Sequence, residues 1–291
     1  MRQVILIHAH KDLGQLNMLV SQLVDDDFLI YVNVDAKSAI DVNDLHPAAR
    51  LVLPRIAIHW GQFSQVEATL HSMRQVILEA GPFDKLVFIS AQDAPLLSNR
   101  RLKMALAALA GRELLDCVAV GPQGWACAER FQYFHAGGAL GVLGALACRV
   151  ANRLMRVIGV RRAMVNGWQP WGGSSWWSLS RACVEAIVEQ VRTDPAIVRF
   201  FRRVACPDEL FFQTLVMNSP FRTRVVADNY RHVDWAGAGA RARHPKVLDA
   251  RDFAALSASR AHFCRKLEAP ASAALLPLLR QLRESRERGE S

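Results

Sequence analysis

The sequence has no run of about 18 uninterrupted apolar residues, so nothing in it reads as a membrane-spanning helix. It has no CxxC pair. Its 6 cysteines stand apart at 117, 127, 148, 183, 206 and 264, which argues against structural zinc or a disulfide framework and suits reduced thiols in a cytosol. No GxGxxG follows the first strand pattern and no GxxxxGK(S/T) occurs anywhere. Dinucleotide dehydrogenases and P-loop enzymes are therefore poor fits. The opening MRQVILIHAHKD carries an apolar run of only about five residues with charge directly behind it, which does not make a signal peptide. No internal repeat and no linker-like stretch divides the chain.

What is present favours a large folded domain. Of 291 residues, 51% are apolar, with 7 Trp and 13 Phe, enough to offset the entropy of ordering the chain. The net charge is +9, from 36 Lys+Arg against 27 Asp+Glu. That balance fits nucleic acid, an anionic membrane or a phosphorylated small molecule equally well. A basic nucleic-acid-binding protein is the reading from another class, but the cations are dispersed and no reader motif appears, so no nucleic-acid partner is expected.

The first hundred residues alternate apolar runs with helical patterns. Val4–Ile7 is a continuous apolar run, Leu13, Leu16, Val20 and Leu23 follow helical spacing, and Phe28–Asp35 reads as a second strand. Arg50–Pro54 is a shorter third strand, and Leu86–Ile89 another buried one. Ser64 followed by Glu67 is a capping-box signature for a helix through Val66, Leu70, Met73 and Ile77. The alternation predicts an α/β fold, a mostly parallel central sheet flanked by helices. Ligands in such sheets sit beyond the carboxyl ends of the strands. His10, Asp35 and Asp93 each follow a predicted strand, so one crevice could collect all three.

After residue 120 the texture changes. Gly137–Arg162 is rich in small apolar residues and carries Arg149, Arg153, Arg156, Arg161 and Arg162 without an acid. It reads as a helix packed on the core with its basic face in water, or as a surface docking anionic lipid or a lipid-linked acceptor. Trp168, Trp171, Trp176 and Trp177 flank Gly172-Gly173 and resemble the wall of a sugar pocket. A helix is expected over Arg181–Val191 and another over Pro207–Met217, the latter opened by Pro207-Asp208-Glu209. The domain is expected to span 1–270, with an insertion at about 137–162, and residues 271–291 form a helical tail, partly disordered.

Several separated segments together resemble the core-2/I-branching enzyme family, which includes branching β-1,6-N-acetylglucosaminyltransferases and peptide O-xylosyltransferases. They are His10-Lys11, Tyr31–Ser38, Trp60–Thr69, Ser90–Leu96, Gly173–Arg181, Pro207-Asp208-Glu209 with Phe212-Gln213-Thr214, Arg231–Trp235 and Phe263–Leu267. The resemblance implies a GT-A-type fold and an inverting transfer of N-acetylglucosamine or xylose from a UDP-sugar to a hydroxyl of a glycan, glycolipid or peptide. It makes Glu209 the general base, and Arg231 and Lys266 the cations on the diphosphate, with Arg265 beside them. Asp35, with His10 next to it, falls at the uracil and ribose. Trp171, Ser174, Trp176, Trp177, Asp93 and Asp208 fall on the acceptor side or pocket wall. No cofactor and no divalent metal are expected, since a lone acid, Asp93, stands where metal-dependent relatives of the fold carry an acidic motif. The alternative is a metal-dependent enzyme using Asp93. Asn33 stands where family members usually have His. The expected setting is the cytoplasm of a bacterium, with peripheral contact at the inner face of the membrane.

Overall fold

A computed structural model describes residues 2–136, 141–236 and 244–289. The first half runs β1 (Gln3–Ala9), α1 (Leu13–Leu23), β2 (Phe28–Val34), β3 (Ala49–Leu51), α2 (Phe63–Glu79), β4 (Lys85–Ser90), β5 (Asp93–Pro95), α3 (Asn99–Ala108), β6 (Glu113–Leu115), β7 (Val118–Ala119) and α4 (Glu129–Gln132). The second runs α5 (Gly141–Val157), β8 (Trp171–Gly172), β9 (Trp177–Ser180), α6 (Arg181–Thr193), α7 (Pro195–Phe201), α8 (Phe211–Met217), β10 (Val225–Val226), β11 (Arg231–Val233), α9 (Phe253–Ala258), β12 (Phe263–Arg265) and α10 (Leu275–Arg288).

The main sheet has seven strands in the order β10-β6-β9-β4-β1-β2-β3. It is mostly parallel: β1 lies parallel to β2 and β4, β2 to β3 and β10 to β6. Only β9 breaks the pattern, antiparallel to both β4 and β6. The continuous apolar run of β1 follows from burial on both faces. Val4 and Leu6 enter one core with Phe88, Trp177, α2, α6 and α8, while Ile5 and Ile7 enter the other with α1 and α3. A smaller three-stranded sheet, β11-β12-β5, sits beside the main one.

Several local expectations change. Residue Ser64 does not cap α2: Gln62 holds that position, and the Ser64 hydroxyl accepts from the His59 amide instead. The helix expected over Pro207–Met217 is a single 3-10 turn, Pro207–Glu209, followed by α8. Through its described part, the tail buries Leu275, Leu279 and Leu282 of α10 against Leu96, Leu248 and Leu256. Its last two residues, 290–291, lie outside the described residues, as do 137–140 of the expected insertion. The helix in that insertion, α5, buries none of its residues, so it does not pack an apolar face on the core.

Candidate active site

Two tight backbone features aim the Pro207-Asp208-Glu209 turn. Cys206 adopts a left-handed conformation (φ 45°), and its amide donates to Gly61, itself at φ 69°, over 3.0 Å. Gly173 donates its amide to the Glu209 carbonyl at 2.9 Å. A β-carbon at Gly173 would fall 2.1 Å from the Asp116 carbonyl oxygen, so only glycine lets the chain pass there. The turn is thus clamped between the start of α2 and the loop before β9.

Its two carboxylates have different partners. Glu209 is partly exposed and ion-paired with Arg130 of α4; the Arg130 guanidinium also lies over the Trp125 ring at 4.7 Å. Asp208 accepts from the Ser175 hydroxyl at 2.6 Å and the Gln65 amide at 3.1 Å. Burial, and then the charge of Glu209, push Asp208 up to about 6. A half-solvated carboxylate beside one that protonates readily can accept a proton from an incoming hydroxyl.

The cations sit on the small sheet. Register sets Arg265 of β12 opposite Asp93 of β5. The Asp93 carboxylate accepts from the Ser90 amide (3.1 Å) and hydroxyl (3.0 Å) and ion-pairs with Arg231 and Arg265, each at 3.4 Å. Arg231 comes from β11, with its side chain 2% exposed and Nη2 donating to the Phe88 carbonyl at 3.2 Å. Burial lowers it to about 10, still cationic at neutral pH, and its Nε and Nη1 find no hydrogen-bond acceptor. Lys266 is also little exposed and pairs with Glu268 at 3.2 Å, which Lys11 shares. Trp176 links the two halves: its ring lies under Arg265 at 4.6 Å and Arg231 at 5.3 Å, and its neighbour Ser175 holds Asp208.

The strand ends sort the other expected residues. His10 is exposed overall, but partial desolvation of its ring, and then the Lys11 charge, hold its imidazole below the usual range, and it also feels Asp35, Lys266 and Glu268. Asp35 is buried and accepts from the Lys37 and Ile58 amides at 2.9 and 3.1 Å. A small cavity of about 130 Å³ opens here, lined by Lys11, Gln15, Gln92 and Glu268 among others. Asn33 faces inward, with its amide 3.1 Å from His8 and 3.3 Å from Ser72. So His10, Asp35 and Lys266 share one end of the site, while Asp93 does not join their crevice.

Two pocket-wall assignments are overturned. Trp177 is 0% exposed and packs on Phe88 and Phe212, because β9 alternates and sends it into the core. Asp93 is buried and held by two arginines, so it lines no open wall. Trp171 packs part-buried on the core with Arg222 over its ring at 5.9 Å. Ser174 serves the loop, donating its amide to Asp116 and giving its carbonyl to Gln213 at 2.6 Å. Sequence reasoning missed Arg130, Gln65, Ser175 and Glu268. Gln65 and Ser175 stand inside the segments that carry the family resemblance, whereas nothing local marks Arg130, whose partner is 79 residues away.

A mostly parallel sheet with helices on both faces, and carboxylates and cations gathered on one side, is the build of a GT-A-like glycosyltransferase. The family model for the Core-2/I-Branching enzyme matches residues 5–132 and 153–257. The chain belongs to the core-2/I-branching enzyme family. Residues 133–152 fall between the matched parts, and Lys266 lies beyond them. Similar proteins include xylosyltransferase 1 of Homo sapiens, 24% identical over 84% of this chain and 25% of that protein. Xylosyltransferase oxt of Drosophila melanogaster is 24% identical over 81% of the chain and 27% of its own length. Xylosyltransferase 2 of Rattus norvegicus is 23% identical over 84% and 28%. The chain spans about a quarter of the length of these relatives.

Proposed function

We propose that the chain moves N-acetylglucosamine or xylose from a UDP-sugar to a hydroxyl on a glycan, glycolipid or peptide, with inversion and without a divalent metal. The observation that carries this reading is Glu209, a carboxylate aimed by a clamped turn and partly open to solvent. In the reaction Glu209 leaves Arg130 and takes the acceptor proton. The freed oxygen attacks the anomeric carbon, whose bond to the diphosphate breaks, and UDP leaves with the electron pair. Inversion needs one base and no covalent nucleophile. The negative charge gained by UDP is offset by Lys266 and by Arg231, whose Nε and Nη1 make no hydrogen bond although Nη1 faces Asp93 at 3.4 Å. His10 and Asp35 supply the nucleoside end. Asp93 does not fit a metal ion, because its oxygens are already taken by Ser90, Arg231 and Arg265.

A thermal-shift panel of UDP, UDP-N-acetylglucosamine and UDP-xylose, in chelator and in manganese, tests this. A donor at about 100 times its Kd should stabilise by roughly 2.7 kcal/mol in chelator alone. Glu209→Gln should keep that shift and lose transfer by about 10²–10⁴-fold. Stabilisation that appears only with manganese, or normal turnover by the glutamine variant, overturns the metal-free or the base assignment respectively.

A further inference from the structure

Helix α5 is built inside out. The residues it turns toward the body are small or polar: Gly144, Ala145, Cys148, Ala151, Asn152 and Met155 are part-buried. The large ones face water, with Val142 87%, Leu143 82%, Leu146 55%, Val150 62%, Leu154 58% and Val157 77% exposed. At about 100° per residue these six share an arc of roughly 120°. Arg149, Arg153 and Arg156 line one flank of it, and exposed Ile158 and Val160 continue the apolar surface past the helix end.

The helix is nevertheless held firmly. Asn152 donates to the Phe134 carbonyl at 2.7 Å and accepts from its amide at 2.8 Å, and Arg156 lies over Tyr133 at 4.3 Å. Beyond the helix, Arg162 donates to the carbonyls of Phe131, Arg203 and Phe200. An apolar face fixed outward on one side of a helix marks a contact surface.

We propose that α5 lies in the plane of an anionic phospholipid bilayer and seats the protein on it. Charge complementarity selects this occupant. No Asp or Glu occurs from residue 130 to 184, while arginines recur along the segment. A second copy of the chain would meet this face with the same acid-free segment, like charge against like. No helix among the described residues is long and apolar enough to cross a membrane, so an in-plane helix is the matching mode. Residues 133–152, which hold most of α5, lie outside the family match, so this seat is an addition to the common scaffold. Its tether at Tyr133 and Phe134 follows directly on α4, whose Arg130 pairs with Glu209. The lipid seat does not rest on the catalytic reading.

Sedimentation with vesicles of phosphatidylcholine alone and of phosphatidylcholine with phosphatidylglycerol tests it. The wild type should partition onto the anionic vesicles, less so as salt rises. Leu146→Asp with Val150→Asp should abolish partitioning. Arg149→Glu with Arg153→Glu should weaken it by about 30-fold or more, since each surface arginine contributes about five-fold, and the same pair changed to Lys should keep it. All three variants should melt with the wild type. Failure of the wild type to bind anionic vesicles at low salt, equal binding to neutral ones, or unchanged binding by the glutamate pair overturns the proposal. So does a solution dimer lost with the aspartates in a protein that ignores vesicles. A chain that binds vesicles but shows no shift with UDP would overturn the donor reading alone.

Discussion

Asp208 and Glu209 are adjacent in sequence but sit in different surroundings. Glu209 faces a guanidinium, whereas Asp208 faces a hydroxyl and an amide that leave its charge uncompensated. Burial and the neighbouring Glu209 raise Asp208 to about 6, so the folded chain keeps a proton that the unfolded chain releases near pH 4. Stability through this group is therefore present at low pH, is lost as pH rises from about 4 to about 6, and stays lost above. Asp208→Asn has no proton to release. Its melting temperature relative to the wild type should be higher at pH 7 than at pH 4, with the gap opening between those values. A gap that is the same at both pH values would mean that Asp208 titrates normally.

The small sheet shows how an element decides what a residue is for. His10, Asp35 and Asp93 carry the same signal in the sequence, an ionisable group just past a strand, and in the fold His10 lies near enough to Asp35 to feel its charge. Asp93 differs because β5 pairs antiparallel with β12 some 170 residues later, a contact that no local pattern encodes. The main sheet was legible for the opposite reason, since its apolar runs are local and continuous. The basic, acid-free composition of α5 was equally readable, but its orientation was not: a helix wheel gives a face without saying which way it points. Asp93 also separates the parts played by Arg231 and Lys266. Arg231→Ala strips a buried carboxylate of one counter-ion, and breaking such a pair costs about 3–5 kcal/mol, so that variant should melt far below the wild type. Lys266→Ala removes a cation whose partner Glu268 still has Lys11. It should melt nearly as the wild type and bind UDP roughly 10- to 150-fold more weakly, the loss of one charge-assisted bond. Calorimetry with UDP titration checks both, and a Lys266→Ala protein with unchanged UDP affinity removes that lysine from the diphosphate.

Over the whole molecule, the ionisable groups that the cores enclose set the response to acid. His8 of β1 stands edge-on to Phe88 at 4.7 Å and beside Asn33, and burial lowers it to about 3. His262 stacks on Tyr230 at 4.5 Å; burial, and then the Arg231 charge, lower it to about 4. Both remain neutral in the fold at pH values where the unfolded chain, with ordinary histidines near 6.5, takes up protons. Their contribution to stability is complete above about pH 6.5 and is lost as pH falls toward 4, roughly 3 kcal/mol for each by linkage. Asp208 works in the other direction over much of the same range, by about 2 kcal/mol at most, since it is not fully enclosed. Two histidines outweigh one carboxyl, so the melting temperature should fall steadily from pH 6.5 to pH 4. His262→Phe keeps a ring against Tyr230 and removes one of the two titrations. That variant should lose about half of the decline, measured by melts across this range, while its stability at pH 8 changes little. If the variant and the wild type decline in parallel, His262 is protonated in the fold, and its place between Tyr230 and the Arg231 charge does not hold it neutral.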